Sequence, residues 1–299
     1  MRSGRPHDLA VVGAGPAGIA TAVHAHEAGL DVVVVDKASF PRDKTCGDGL
    51  TTAALRRLER LGLRTAVLVS FETVTDAVLV SPSGRRVALP MRDSGIHAAV
   101  VPRVELDAAL VALARRRGVD VRENAALAAV DAPAGDVDEP VTVALAEGGE
   151  IRARWVVAAD GHYSPTRRAV GGGHEPDLGT WHAVRQYFSG VVDRRLWVVF
   201  EPDLLPGYAW VFPLPGGRAN VGFGVLRRPD VGGKQLRALW ADVLRRAGLR
   251  AAMGEGARAE GPHRAWPIPS AFDASRLTHG PVLFAGDAAS VVDPLTGEG

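Results

Sequence analysis

The sequence is short of cysteine, of net charge and of long apolar runs, and each shortage excludes a class of protein. Its 299 residues include one cysteine, Cys46, so neither an internal disulfide nor a cysteine-rich zinc site can form. Lysine and arginine number 35 against 34 aspartates and glutamates, which leaves no general field for binding nucleic acid. No stretch approaches the roughly 18 consecutive apolar residues of a membrane span, and no apolar signal core opens the chain. These absences predict a soluble, cytoplasmic protein.

The beginning of the chain has the pattern of a nucleotide-binding β-α-β unit. An apolar run, Leu9–Val12, is followed by Gly13, Gly15 and Gly18 in the spacing Gly-x-Gly-x-x-Gly, then by an alanine-rich helix and an apolar strand that ends at Asp36. The first glycine permits a tight turn, the second a close approach to a pyrophosphate, and the third close packing of helix on strand. Asp36 lies about 20 residues further on, where a carboxylate binds ribose hydroxyls. The unit predicts a binding site for a dinucleotide, which is either FAD or NAD.

Further along, segments typical of parallel strands alternate with segments typical of antiparallel ones. Trp197–Phe200, Tyr208–Phe212 and Ala219–Leu226 are predicted antiparallel strands, and a helix is predicted near Lys234–Arg246. We therefore predict an α/β fold, in which a discontinuous Rossmann-type nucleotide-binding domain carries an inserted antiparallel-sheet substrate domain. The predicted first domain consists of residues 1–66, 98–172 and 273–299, and the second of residues 67–97 and 173–272.

Three longer segments carry a specific resemblance. They run from Asp36 to Leu63 with Cys-Gly-Asp-Gly-Leu at the centre, from Gly207 to Val225, and from Gly286 to Gly299. Together they resemble the geranylgeranyl reductase family, within the flavoprotein superfamily of para-hydroxybenzoate hydroxylase. The resemblance extends over nearly the whole chain, and it implies that the dinucleotide is FAD.

The resemblance also implies which residues bind the cofactor. The glycine-rich loop would hold the pyrophosphate, Asp36 the adenosine ribose, Leu127 the adenine through its backbone, and Asp287 the ribityl chain. The turn at the end of the chain would border the isoalloxazine ring with backbone N–H groups, which stabilise reduced flavin. The full implied set is Gly13, Gly15, Ala17, Gly18, Asp36, Cys46, Gly47, Asp48, Arg103, Leu127, Asp160, Gly286, Asp287, Pro294, Gly297 and Gly299.

Several of these residues have ordinary structural alternatives. Cys46 can be a small buried apolar residue, Arg103 a surface residue at a helix start, and Asp160 a turn residue. Tyr208 and Trp210 share one strand face with Phe212, and such a stripe either covers a core or lines a cavity for an elongated apolar substrate. The resemblance favours the cavity, with Cys46, Tyr208 and Trp210 as catalytic candidates.

The function that the resemblance implies is FAD-dependent reduction of isoprenoid C=C bonds, on a prenyl lipid or a prenylated quinone. NAD(P)H or another donor would reduce the flavin, flavin N5 would deliver hydride to one alkene carbon, and a proton would reach the other. Such a substrate suggests peripheral contact with the inner face of the membrane. The nine histidines show no metal-binding spacing, so no metal is expected.

Two alternatives stay open. One is an FAD-dependent monooxygenase of the hydroxylase or halogenase type on the same fold, although the Trp-x-Trp-x-Ile-Pro segment expected of a halogenase is absent. The other is an inactive, truncated FAD-binding module. Because family members continue beyond the final Gly-x-Gly turn, we expect the 299 residues to be an incomplete chain that binds FAD weakly by itself.

Overall fold

The computed structural model describes residues 5–90, 96–133, 139–171, 179–228, 231–274 and 277–298. The strands of these segments are β1 (His7–Val12), β2 (Val32–Val35), β3 (Gly49–Thr51), β4 (Glu72–Thr73), β5 (Asp76–Val80), β6 (Arg86–Pro90), β7 (Ala98–Val100), β8 (Asp120–Arg122), β9 (Leu127–Asp131), β10 (Val141–Leu145), β11 (Glu150–Ala158), β12 (Trp181–Ser189), β13 (Leu196–Val199), β14 (Ala209–Leu214), β15 (Arg218–Leu226), β16 (Arg258–Ile268), β17 (Thr278–His279) and β18 (Val282–Phe284). The α-helices are α1 (Pro16–Glu27), α2 (Thr52–Arg60), α3 (Arg103–Arg116), α4 (Pro165–Ala169), α5 (Gly233–Val243) and α6 (Ala247–Met253).

The first sheet has a parallel centre in the order β18-β11-β1-β2-β8. Strand β2 consists of four buried valines, the composition expected of a strand that is covered on both faces. Helices α1 and α3 cover one face, with Ile19 and Leu110 fully buried between helices and sheet. The β9–β10 hairpin extends the same sheet by pairing with the first half of β11. Strand β1, where the glycine-rich loop begins, is thus central.

The second sheet is antiparallel except for one pair, and its order is β16-β12-β15-β14-β13-β5-β6. The exception is β13, which pairs in parallel with β5. Helices α5 and α6 pack on one face, where Trp240 and Leu249 are buried against Val211 and Phe223. A third, small sheet, β3-β7-β4, follows the loop after β2. The described residues therefore have the predicted α/β architecture, whereas the exact domain boundaries remain a prediction.

The structure corrects three sequence-based assignments. Strands β12 and β16 were not predicted. Strand β16 contains Gly261, Pro262 and Pro267, which argue against a central strand but are tolerated at a sheet edge. The predicted helix at Lys234–Arg246 ends at Val243, and α6 begins at Ala247. Among the helices of the described segments, none combines the length and apolarity needed to cross a bilayer.

Candidate cofactor and substrate site

The glycine-rich loop leaves β1 at the point where its two sheet neighbours, β2 and β11, lie on opposite sides, which is where open α/β sheets bind ligands. Gly13 has a φ of +104°, and a Cβ there would lie 2.4 Å from the carbonyl oxygen of Ala159. A Cβ on Gly18 would lie 1.9 Å from the carbonyl oxygen of Gly13. Both positions therefore require glycine for packing.

Gly15 differs, because it faces open space. The nearest atoms to a Cβ at this position are the Nη2 atoms of Arg42 and Arg103, both 4.0 Å away. The space is bounded below by the N-terminus of α1, which begins at Pro16 and has no acidic residue in its first turn. Helix N–H groups and two guanidinium groups border this space, an arrangement that suits an anionic ligand.

One carboxylate holds both arginines in place. Asp107 is completely buried, and its Oδ1 accepts from Nε of Arg103 at 2.7 Å. Its Oδ2 accepts from Nη2 of Arg103 and from Nη1 of Arg42, both at 2.9 Å. Two positive charges against one negative charge leave a surplus for an anionic ligand. Arg42 and Asp107 were missed by the sequence analysis, because only the packing of α3 against the loop after β2 brings them together.

Asp36 lies at the end of β2, as predicted, and its carboxylate connects two loops. Its Oδ2 accepts from the backbone N–H of Ala14 at 2.7 Å, and its Oδ1 from that of Ala38 at 2.8 Å. The Asp36 carbonyl accepts from Ala125 N–H at 2.8 Å, which brings the segment before Leu127 alongside. The two residues expected at the adenosine end of the cofactor are therefore close together, at the same edge of the sheet as the glycine-rich loop.

The loop of residues 46–49, called the cofactor loop because the first three are predicted to contact the cofactor, lies against the aromatic stripe of the second sheet. A Cβ on Gly47 would be 3.6 Å from the rings of Trp210 and Phe212, and a Cβ on Gly49 would be 3.0 Å from Phe212. The ring centroids of Trp210 lie 6.3 Å from Tyr208 and 5.9 Å from Phe212. Since the intervening residues of β14 point into the core under α5 and α6, the stripe faces the loop and not that core.

A buried polar network joins this loop to the second sheet. Oδ2 of Asp48 accepts from the hydroxyl of Tyr187 at 2.6 Å and from Nδ2 of Asn220 at 2.8 Å. Nδ2 of Asn220 also donates to the carbonyl of Cys46 at 2.9 Å, while its Oδ1 accepts from Nε1 of Trp210 at 3.0 Å. Burial raises the pKa of Asp48 to about 6, against the opposing effect of these hydrogen bonds. Tyr187 and Asn220 were not predicted.

We expect the free energy of unfolding of Asp48→Asn to increase relative to that of the parent as the pH rises. The folded pKa of Asp48 is about 6 against an ordinary 3.8, so between these values the native state holds the extra proton. Stability from this group is therefore full below pH 3.8 and is lost as pH rises through 6. Asparagine can still accept from Tyr187 and Asn220 through its one oxygen, and it carries no charge to bury. Urea unfolding should show the stability difference moving in favour of Asp48→Asn by about 3 kcal/mol between pH 4 and pH 7. A pH-independent difference would contradict the assignment.

The last segment of the parallel sheet approaches the same region. A Cβ on Gly286 would lie 2.9 Å from Cβ of Ala17, so these two predicted cofactor residues are in contact. Asp287 follows, and its Oδ2 is 4.0 Å from Nζ of Lys44. The Lys44 ammonium also lies 4.2 Å from the ring centre of Trp266 on β16. Burial lowers the pKa of Lys44, although Asp287 opposes the shift. Lys44 is a further residue that sequence reasoning missed.

The C-terminal turn is held by hydrogen bonds to Tyr208, next to β14 of the second sheet, and to Thr51 of the small third sheet. Tyr208 donates its hydroxyl to the carbonyl of Leu295 at 2.7 Å, and Glu298 accepts from the N–H and the hydroxyl of Thr51 at 2.9 and 2.6 Å. Gly299 lies outside the described residues. A cavity of about 40 Å³ separates the turn from the aromatic stripe. It is lined by Trp181, Gly207, Tyr208, Trp210, Gly224, Ile268, Asp293, Pro294 and Gly297.

Asp160 has a structural partner. It follows β11, and its Oδ2 accepts from the N–H and the hydroxyl of Thr166 at 2.9 and 2.7 Å. The carboxylate thus holds the start of α4, and burial raises its pKa. It adjoins Ala159, against which Gly13 packs, so it lies near the glycine-rich loop. A cofactor role for Asp160 remains a prediction.

The sheet order, the glycine-rich loop and the acidic residue after β2 define a dinucleotide-binding flavoprotein fold. A family model described as FAD binding domain matches residues 7–299. The menaquinone reductase of Mycolicibacterium smegmatis is 34% identical in an alignment of 323 residues including gaps, and the alignment covers 98% of this chain and 72% of that protein. The chain belongs to the FAD binding domain family and, within it, to the geranylgeranyl reductase family that its motifs resemble.

Two further relatives agree with this assignment. Digeranylgeranylglycerophospholipid reductase 1 of Methanopyrus kandleri is 32% identical over 302 residues, which cover 98% of this chain and 76% of that protein. A crystal structure of a geranylgeranyl bacteriochlorophyll reductase-like protein from Thermoplasma acidophilum has a TM-score of 0.82 at 25% identity, covering 99% of this chain and 74% of that one. The predictions of an FAD-dependent oxidoreductase and of FAD as the cofactor are confirmed.

Proposed function

We propose that this protein reduces isoprenoid C=C bonds, and that its substrate is a prenylated quinone or a prenyl lipid. The observation that carries the proposal is the aromatic stripe, in which Trp210 and Phe212 pack on the cofactor loop while Tyr208 and Trp210 line the small cavity beside it. Flat aromatic side chains provide an apolar surface along which an unsaturated chain can lie. Two relatives are named as reductases of menaquinone and of a digeranylgeranyl glycerophospholipid, and these names support the same substrate class.

In the proposed mechanism the chain binds and orients, and the cofactor supplies the redox chemistry. Reduced FAD supplies hydride when bound. Arg42 and Arg103, with the open space at Gly15, would hold its pyrophosphate, and Asp36 its ribose. These groups fit the cofactor because the space is clear of side chains and bordered by cationic donors. The remaining residues need only place the alkene and exclude water.

The alkene also needs a proton, and the catalytic candidates remain Cys46, Tyr208 and Trp210. Burial raises the pKa of Tyr208, so its hydroxyl keeps its proton at neutral pH. That hydroxyl and the Cys46 thiol are the proton-bearing groups of the set, while Trp210 would form the surface under the substrate. We propose NAD(P)H as the source of electrons for the flavin.

Peripheral membrane contact is part of the proposal, because the substrate is a lipid. Two exposed leucines flank Tyr208: Leu205 stands three residues before it, and Leu295 accepts its hydrogen bond through the backbone. Both would offer apolar side chains to a bilayer at the edge of the cavity.

The test is an anaerobic turnover measurement with added FAD. The 299-residue protein, with dithionite-reduced FAD and menaquinone in detergent micelles, should yield, once the quinol ring has been reoxidised in air, a quinone whose side chain carries two additional hydrogens by mass spectrometry. Trp210→Leu should lower kcat/KM by about tenfold or more, since the substrate loses its aromatic surface. Trp155→Leu is the matched control, because this tryptophan is half-exposed on β11 and does not line the cavity.

The same assay separates the alternatives. Unchanged quinones and prenyl lipids, together with oxygen uptake and hydroxylation of an aromatic compound in air, would establish a monooxygenase instead. Bound FAD without turnover of any of these compounds would leave only the nucleotide-binding module.

A further inference from the structure

A single buried amide, that of Asn220, connects the two parts of the site. Asn220 lies on β15, where it pairs with Phe212 of β14 on one side and with Tyr187 of β12 on the other. It has no solvent exposure. Its two N–H donors and its oxygen are all used, by the Cys46 carbonyl, the Asp48 carboxylate and the Trp210 indole.

We propose that Asn220 is a positioning residue, which couples the path of the cofactor loop to the orientation of the Trp210 indole. The significance of Trp210 for substrate rests on the proposed function. The coupling itself does not, because it concerns only groups of this chain. Neither FAD nor substrate contacts are needed to detect it.

The chemistry of the site requires an amide. The Cys46 carbonyl and the Asp48 carboxylate both need a donor, whereas the Trp210 indole N–H needs an acceptor. Aspartate offers acceptors only, and an aliphatic side chain would leave the Cys46 carbonyl and the Trp210 indole N–H without this partner, at about 1–3 kcal/mol each. Among natural side chains of this size, asparagine alone supplies two donors and an acceptor in one plane.

Asn220 is one of several groups that hold this loop, since the Asp48 carbonyl also accepts from Val101 N–H at 3.0 Å and the Arg103 side chain contacts that of Cys46. Asp48 has a φ of +65°, a conformation that is uncommon for a non-glycine residue. Besides Asn220, Tyr187 donates to its carboxylate, and Arg103 N–H approaches Oδ1 at 3.3 Å. The carbonyl of Cys46 receives its hydrogen bond from Asn220. Loss of the two donors should therefore release the loop at Cys46 first.

The same sheet contains a natural comparison. Gln186 on β12 accepts from Nε1 of Trp240 at 3.1 Å and donates to the carbonyl of Gly261 at 2.6 Å. This is also a buried amide with an indole and a backbone carbonyl, but its indole partner, Trp240, belongs to the core under α5 and α6. Gln186→Glu removes the same chemical group at a matched site.

The experiment uses Cys46 as a reporter, since it is the only cysteine in the sequence. The rate at which Ellman's reagent modifies the thiol is measured on the apo protein by stopped-flow absorbance. Asn220→Asp should raise this rate by about tenfold, the equivalent of one lost hydrogen bond in the opening equilibrium of the loop. Gln186→Glu should leave it within about twofold, although it too removes a buried donor.

A second variant tests the specific hydrogen bond. Combining Asn220→Asp with Asp48→Asn restores one hydrogen bond between positions 48 and 220 in the reverse direction, but it supplies no donor to the Cys46 carbonyl, so the rate should fall only part of the way back towards that of the parent. Trp210→Phe, which removes only the indole donor and keeps a ring, should also raise the Cys46 rate, and its effect should be smaller when Asn220 is already aspartate.

The proposal is overturned if Asn220→Asp reacts at the parental rate, or if Gln186→Glu accelerates Cys46 equally. Should Asn220→Asp fail to fold, Trp210→Phe decides the question, because a parental Cys46 rate in that variant would equally exclude coupling. If the Cys46 rates change as predicted but no alkene is reduced, the proposed substrate is rejected and the positioning role of Asn220 stands.

Discussion

Alanine at position 15 is expected to weaken FAD binding by about a hundredfold and yet to leave the apo protein folded. A Cβ there meets nothing closer than 4.0 Å, so the free energy of unfolding should change by no more than about 1 kcal/mol. The methyl group would occupy the space between Arg42 and Arg103 and hold a pyrophosphate away from the helix N–H groups. Two lost charge-assisted hydrogen bonds correspond to about 3 kcal/mol, or a hundredfold.

Gly18→Ala is the matched comparison, because Gly18 belongs to the same motif but the space beside it is filled by protein atoms. Its Cβ would lie 1.9 Å from the carbonyl oxygen of Gly13, and backbone must move to admit it. We expect a loss of about 3 kcal/mol or more in the free energy of unfolding without any ligand present. Isothermal titration with FAD and urea unfolding of the apo proteins separate the two effects. Equal FAD affinity in Gly15→Ala and the parent would mean that no phosphate approaches this glycine.

Asp107→Asn is expected to have the second large effect, a loss of about 3–5 kcal/mol in stability. The carboxylate is fully buried and receives three hydrogen bonds from Arg42 and Arg103, so asparagine leaves two partly buried guanidinium groups without a counter-charge. The pyrophosphate would then supply the missing negative charge. Saturating FAD should therefore raise the melting temperature more in Asp107→Asn than in the parent.

A surface ion pair provides the control for this second experiment. Asp120 pairs with Arg122 at 2.8 Å, but both side chains are nearly half exposed. Asp120→Asn should change stability by less than about 1 kcal/mol and should leave the FAD-dependent shift unaltered. If FAD stabilises Asp107→Asn and the parent equally, the two arginines do not face the cofactor.

The parts of the site that could be predicted from the sequence are those encoded locally. Gly13, Gly15 and Gly18 form a pattern within six positions, and Asp36 follows at the end of the next strand, so a short segment contains the whole signal. The aromatic stripe of β14 was predictable for the same reason, because strand alternation alone places its members on one face. The sequence did not show which part of the protein this face contacts; in the structure it contacts the cofactor loop.

The other residues acquire their meaning from distant partners. Arg42 is unremarkable in a loop until α3 brings Asp107 to it, and Asn220 looks like an ordinary polar position in a strand although it binds a loop more than 170 residues away. Strand β16 was missed because glycine and proline normally interrupt strands, and only its edge position makes them acceptable. A pattern read from a short stretch of sequence cannot reveal these contacts, because the partner residue lies far away along the chain.

The order of the first sheet has a consequence for synthesis on the ribosome. Strand β1 emerges early, but one of its two neighbours, β11, begins only at Glu150. At about 5–20 residues per second, one edge of β1 waits on the order of ten seconds for its partner. A strand of buried apolar residues with an unpaired edge is a template for association with other chains. The central position that suits β1 for binding a nucleotide thus leaves one of its edges unpaired in the nascent chain until the middle of the protein has been made.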